Sequence, residues 1–241
     1  METAKASTAN RLQLDIWSDV ACPWCYVGKR RFDAALARFA NRDAVDVTWR
    51  SFELDPSAPA VIASDISHAA RIAAKYRMPV EQAQKMIDSM TETAKADGIT
   101  MRLDVARSGN TFDAHRVLHF AQRHGVQTQL KERLFRAYFS EGEALGERAV
   151  LVRLASEVGL DAEAVRAMLA SDAETKEVRS DEATARELGI NGVPFFVFAG
   201  RYGVSGAQSV DVLLEVLEKA WSELPEPAVL EGATCGPAGC A

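Results

Sequence analysis

Cysteine is scarce. The 241-residue chain has 4, all in two close pairs, Cys22/Cys25 and Cys235/Cys240. That excludes a scaffold stapled by many disulfides, and 48% hydrophobic content supplies a core instead. Long apolar runs are lacking as well. No stretch approaches the ~20 residues of a membrane-spanning helix, and residues 1–10 have no apolar centre, so they read as a polar tail and not a secretory signal. With a native start, this predicts a cytoplasmic protein, a compartment where disulfides are transient and catalytic. Positive charge is not in excess. A net charge of −6 argues against nucleic acid as a partner, and basic runs such as 29–31 read as a solvated helix face. Histidine is sparse too, with 4 in the chain. His115, His119 and His124 fall at helical spacing but lack a Glu-x-x-His pattern, so they read as structural and not as metal ligands. His68 is isolated, and Met86 and Met90 read as core.

Against that background stands Cys22-Pro23-Trp24-Cys25. Leu12, Leu14 and Ile16 alternate with Gln13, Asp15 and Trp17, which predicts a strand over 12–18. Val27, Phe32, Ala35, Leu36 and Phe39 recur at helical spacing and predict a helix over 23–40. Cys22 is then the helix N-cap and Pro23 the first helical residue, where a missing N–H costs nothing. The unpaired N–H groups of the first turn, aimed at the Cys22 sulfur, favour a thiolate. Cys25 lies one turn on and faces inward. An exposed nucleophile beside a shielded resolving thiol is what thiol–disulfide exchange requires. Half of a zinc site and a plain structural disulfide are the rival readings of the same four residues.

A second strand is predicted over 44–54, with 55–59 breaking the pattern, so the first fifty residues read as a right-handed βαβ unit. Helices are predicted over 67–78, 80–97, 111–124, 127–140, 146–158, 162–170 and 173–188, with a short extended link at 99–103. Residues 193–199 and 202–204 read as a hairpin. Ser205 and Gln208 read as a capping box opening a last helix that ends near Ser222, before Pro225 and Pro227. The expected division is a tail (1–11), an α/β domain (12–55 and 190–222), a helical insertion (56–189) and a C-terminal extension (223–241) carrying Cys235 and Cys240.

A βαβ unit followed by a ββα unit, with Cys-Pro-x-Cys opening the first helix, resembles the thioredoxin fold. The helical insertion between the halves resembles the DsbA family. Residues 18–25 (SDVACPWC), 110–115 (NTFDAH), 189–196 (GINGVPFF) and 205–208 (SGAQ) are together similar to its FrnE-type branch, over about residues 12 to 222. The resemblance implies α/β architecture with a large all-helical insertion, and a cytosolic thiol–disulfide oxidoreductase or disulfide isomerase acting on protein thiols. It implies catalysis by Cys22 and Cys25, with Pro194 in a cis peptide bond facing them. Pro23, Trp24 and Val193 would contact substrate. Asp15 falls near the family's buried strand carboxylate if the chain has one extra residue before Cys22. Asp19 is its rival as a proton relay, and a plain surface acid is the bland reading of each. Trp24 replaces the His of strongly oxidising members and brings no charge to the thiolate, which implies a less oxidising disulfide.

No cofactor is implied beyond the redox-active disulfide itself, with glutathione or a thioredoxin-type dithiol as the reductant. Neither metal, membrane nor nucleic acid is implied as a partner. Two alternatives stay open. One is a glutathione-dependent isomerase or transferase of the same fold, against which the second cysteine argues. The other is a zinc-binding or chaperone-like module using all 4 cysteines. Cys235 and Cys240, in a short Gly- and Pro-containing ring, are a candidate accessory redox pair for the first two.

Overall fold

The computed structural model describes residues 10–62 and 66–225. Strand β1 (Leu12–Ser18) leads into helix α1 (Pro23–Arg38), and β2 (Val45–Ser51) follows a turn of 3-10 helix at Arg42–Ala44. β1 and β2 pair in parallel, from Leu12 against Val45 to Ser18 against Ser51. Helices α2 (His68–Tyr76), α3 (Val80–Ala96), α4 (Phe112–Arg123), α5 (Gln127–Arg136), α6 (Arg148–Glu157), α7 (Ala162–Ala170) and α8 (Thr175–Glu187) then intervene. The chain returns to the sheet with β3 (Phe195–Phe198) and β4 (Tyr202–Ser205) and closes on α9 (Val210–Ser222). The sheet order is β2-β1-β3-β4, with β3 antiparallel to both neighbours. This is a thioredoxin-like α/β core with a large helical insertion. Among the described residues, no helix is long and apolar enough to cross a membrane.

The two-residue period of β1 explains its faces. Leu12, Leu14 and Ile16 are buried with Phe196 and Phe198 under Phe32, Ala35 and Phe39 of α1 and Leu213 and Leu217 of α9. Trp17 points the other way, onto Ala185 of α8 and Ile190. A further cluster joins Cys25, Tyr26 and Val27 of α1 to Leu130, Leu134 and Phe135 of α5. Tyr26 stacks on Phe135 with ring centroids 4.9 Å apart. Each fully buried side chain of this size contributes about 1.5–3 kcal/mol. The insertion is therefore anchored on the first turns of α1.

Three sequence readings change here. The helix expected over 127–140 is α5 followed by a π-helical turn at Ala137–Glu141, stopped by Gly142 at φ 73°. The Lys29–Arg31 run is no solvated face. Lys29 is buried and pairs with Asp33 at 2.7 Å and Glu132 at 2.9 Å, Arg30 pairs with Glu132 at 2.5 Å, and Arg31 pairs with Asp97 at 3.0 Å. The insertion covers this face and supplies Glu132 and Asp97, while Asp33 belongs to α1 itself. Nor do Ser205 and Gln208 form a capping box. Ser205 ends β4 opposite Phe195, the chain turns at Gly206 (φ 80°), and Ser209 is the N-cap, its hydroxyl accepting from Val212 N at 3.3 Å. Gln208 instead donates to Ser205 O at 2.8 Å.

Candidate active site

Cys22 has extended backbone (φ −92°, ψ 116°) as the N-cap of α1, and Pro23 occupies the first turn. Its carbonyl accepts from Cys25 N at 3.1 Å and Tyr26 N at 3.4 Å. Its sulfur takes no hydrogen bond from the first turn. The thiol donates instead to Val193 O at 3.6 Å, as an S–H, a weak donor, can. Nor is Cys22 exposed as expected, because the 192–194 segment closes over it. It is 5% exposed, whereas neighbouring Trp24 is 46% exposed. Access is through a cleft of about 1010 Å³ lined by Cys22, Pro23, Trp24, Gly192, Val193 and residues of α2 and α3.

The 189–196 motif brings its proline here. The Val193–Pro194 bond is cis, and Pro194 O accepts from Gly206 N at 2.8 Å. A methyl group on Gly28 would lie 2.8 Å from Pro194 Cγ, so the absence of a side chain on α1 admits the proline ring.

Cys25 is fully buried, and burial, then the adjacent Cys22 sulfur, push its thiol well above its ordinary value. Two groups act the other way. One is the positive charge of Lys131, and the other is the buried hydroxyl of Ser18, which has no other partner among the described residues and is free to turn toward the Cys25 sulfur. Lys131, on α5, is fully buried between Trp49 and Phe135, with its ammonium 5.5 and 5.0 Å from their ring centroids. Its Nζ donates to Ser18 O at 3.3 Å. Burial lowers it from 10.5 to about 8, against the pull of Cys25, Asp19 and Cys22.

Asp19 and Asp15 part company. Asp19 is buried, and its oxygens accept from Leu54 N at 2.8 Å and Ala21 N at 3.1 Å. His115 Nε2 lies 3.7 Å from Oδ1. Burial opposes the charge, but His115 and the two amides outweigh it and hold the carboxyl below its usual range. Asp15 lies on the other face of β1 from Leu14 and Ile16, in an ion pair with Arg50 at 2.7 Å. The structure thus groups Cys22, Cys25, Pro23, Trp24, Val193, Pro194 and Asp19, and leaves Asp15 outside. Cys235 and Cys240 lie outside the described residues.

The remaining histidines have other occupations. His119 is held between Ser51 Oγ at 3.1 Å and Asp181 Oδ2 at 3.0 Å, and His124 Nδ1 lies 2.9 Å from Phe120 O. No cluster of three or more metal-ligating side chains occurs among the described residues. The sequence alone gives no role to Lys131, has Ser18 only as the first residue of the 18–25 motif, and reads His115 as structural, whereas here it stands beside Asp19. The signal for Lys131 was its place four residues from both Gln127 and Phe135, on the buried stripe of α5.

A DSBA-like thioredoxin domain model matches residues 13–218. The chain belongs to the DSBA-like thioredoxin domain family. Its general activity is thiol–disulfide exchange, and this member is accordingly an enzyme. The chain is similar to the crystal structure of a probable DsbA oxidoreductase from Streptomyces coelicolor, at 44% identity and a TM-score of 0.84, over 96% of this chain and 99% of that one. It is 29% identical to the uncharacterized protein YwbO of Bacillus subtilis, over 88% of this chain and 96% of that one. A cytosolic disulfide reductase, DsbM of Pseudomonas aeruginosa, solved with GSH, shares the fold at a TM-score of 0.58 and 20% identity, over 87% and 99% of the two chains.

Proposed function

We propose that this DSBA-like protein exchanges disulfides with protein thiols through Cys22 as nucleophile and Cys25 as resolving thiol, as a reductase or isomerase of the FrnE-type branch. The observation that carries the reading is the contrast between the two sulfurs. Cys22 lines the cleft, and Cys25 is wholly buried one turn behind it, in reach of the Lys131 charge.

The Cys22 thiolate attacks one sulfur of a substrate disulfide. The substrate S–S bond breaks, its electron pair leaves with one thiolate, and a mixed disulfide remains. Cys25 loses its proton and attacks Cys22 Sγ, which expels the second substrate thiolate and closes Cys22–Cys25. Two electrons pass from the dithiol to the substrate. A second dithiol, or glutathione, returns them, and Cys235/Cys240 is our candidate for an accessory couple in that return. Isomerisation is the same chemistry with the substrate's own thiol expelling Cys22.

Cys25 is the group that needs help, because burial holds its proton. Asp19 is a poor acceptor, being held ionised at low pH by its hydrogen bonds. Lys131, at about 8, is suited to receive the proton as an amine and then to balance the thiolate as an ammonium. The Val193 N–H, which pairs with no backbone group among the described residues, and the Val193 carbonyl offer an edge to an extended substrate beside Cys22. A cytoplasmic setting accords with the reductant requirement and with the name of the Pseudomonas relative.

The experiment is a pair of substitutions tested in insulin reduction and scrambled-ribonuclease refolding. Cys22→Ser is expected to abolish exchange. Cys25→Ser is expected to accumulate a mixed disulfide between Cys22 and substrate. Trapping by Cys22→Ser with full turnover by Cys25→Ser reverses the roles.

A further inference from the structure

The cleft in front of Cys22 has a charge opposite to that of the chain. The protein has 34 acidic side chains against 28 lysines and arginines. Among the described residues around the cleft the balance inverts. Its cations are Arg71 and Lys75 of α2 and Lys85 of α3, with His68 beside them. Its carboxylates are Asp19 and Asp55. Asp19 is buried against two backbone amides and His115, and Asp55 accepts from Ser57 Oγ at 2.8 Å.

The three cations have no carboxylate partner among the described residues. Arg71 reaches the carbonyls of Ile66 and Ala106 and His68 Nδ1. Lys75 lies 5.9 Å from the centroid of the Tyr76 ring. Arginines of α1, α4 and α6 are ion-paired by contrast, and the three unpaired cations of α2 and α3 lie together at the cleft.

Between the cations and Cys22 the walls are apolar. Met86, Ile87 and Met90 of α3 face the cleft with Phe139 and Tyr138 of the π turn, and Trp24 stands at the mouth. Methionine surfaces adapt to varied side chains. At about 1010 Å³ the cleft is at the upper end of ordinary ligand sites and holds more than one side chain.

We propose that this cleft selects cysteine-containing protein segments that carry a large apolar side chain and acidic residues beside the reacting sulfur. The apolar group fills the methionine and aromatic walls. The carboxylates meet Arg71, Lys75 and Lys85. The inference rests on the exchange function above and names its substrate class. The chemistry is unchanged: Cys22 Sγ bonds the segment's sulfur, the previous partner leaves as a thiolate, Cys25 attacks Cys22 Sγ and expels the segment's own thiolate, and an external dithiol reduces the Cys22–Cys25 bond. Because Lys75 and Lys85 are exposed, their effect is on encounter and is screened by salt.

The test uses the full chain, dithiothreitol as reductant, and three peptide disulfides with the same cysteine and the same neighbouring leucine. Their outer residues are glutamate, glutamine or lysine. At low salt, kcat/KM for the acidic peptide is expected to exceed that for the basic peptide by about 10-fold or more. The ratio should shrink toward one at about 0.5 M salt, and several-fold in Lys75→Gln/Lys85→Gln. Equal rates for acidic and basic peptides in the unmodified protein, or a ratio that survives in the double variant, overturn the proposal. Glutathione disulfide reacting as fast as the acidic peptide overturns it in favour of a small acidic disulfide. Hydroxyethyl disulfide, which is uncharged, separates the two levels. If it is not reduced, the exchange function itself fails; if it is reduced without any charge preference among the peptides, only the substrate class fails.

Discussion

Gly28 of α1 and Pro194 are in such close contact that a methyl group on residue 28 would lie 2.8 Å from the proline Cγ and 3.5 Å from the Phe196 ring. Helix propensity alone makes alanine better than glycine at a helix interior by about 1 kcal/mol. The crowding works against this, since overpacking costs about 1–3 kcal/mol. Gly28→Ala is expected to lower stability in denaturant unfolding. It should also slow insulin reduction, because Val193 and Pro194 shift relative to Cys22. A variant that is more stable and equally active would show that the ring yields without consequence.

The start of α9 offers a second check. Ser209 caps the helix through its hydroxyl, whereas Ser205 contributes a backbone carbonyl to the turn. Ser209→Ala is expected to cost about 1 kcal/mol. Ser205→Ala should stay within about 0.5 kcal/mol. Paired urea titrations decide it, and the reverse order of effects would restore the capping box at 205–208.

These two cases show what was legible in the chain. Local periodicity exposed the strands, most helix bounds and the placement of Cys22 at a strand-to-helix junction, because each depends on neighbours in sequence. The choice between Ser205 and Ser209 depended on how far β4 pairs with β3, which is a long-range property. The burial of Lys29 depended on Glu132, one hundred and three residues away. Lys131 was hidden for the same reason. A lysine inside an apolar stripe resembles any amphipathic interruption until the fold lays α5 beneath Cys25. Asp15 and Asp19 were indistinguishable in sequence: alternation within β1 puts Asp15 on the face opposite Leu14 and Ile16, whereas Asp19 lies just past the strand and is held inward by the amides of Ala21 and Leu54.

The C-terminal cysteines lie outside the described residues and are tested functionally. If Cys235/Cys240 returns electrons to the active-site pair, Cys235→Ser/Cys240→Ser is expected to retain exchange with small disulfides. Its turnover with a protein dithiol, or its scrambled-ribonuclease activity, should change. Unchanged rates with every reductant, together with no Cys22–Cys235 or Cys22–Cys240 disulfide by mass spectrometry, would sink the accessory role.

Lys131 joins stability and activity in one side chain. Holding an ammonium where the group titrates near 8 instead of 10.5 costs on the order of 3 kcal/mol. The sign follows from proton counts. Between about pH 8 and 10.5 the unfolded chain binds this proton and the folded chain does not. Stability from this group therefore rises with pH across that window, and below it the full cost is present. Lys131→Met removes the charge and keeps the length. At pH 7 it is expected to unfold at higher denaturant, by about 1–3 kcal/mol after loss of the Ser18 hydrogen bond, and the advantage should shrink between pH 8 and 10.5. Activity should move the opposite way. Resolution of a preformed Cys22–peptide disulfide, followed by single-turnover release, should slow by about 100-fold or more without the proton acceptor. In the unmodified protein that rate should climb through about pH 8, and the inflection should vanish in the variant. Lys131→Arg, which keeps a permanent charge but accepts no proton, distinguishes proton transfer from plain attraction. If arginine restores the rate, Lys131 acts only as a charge; if release stays slow, the amine is the acceptor for the Cys25 proton.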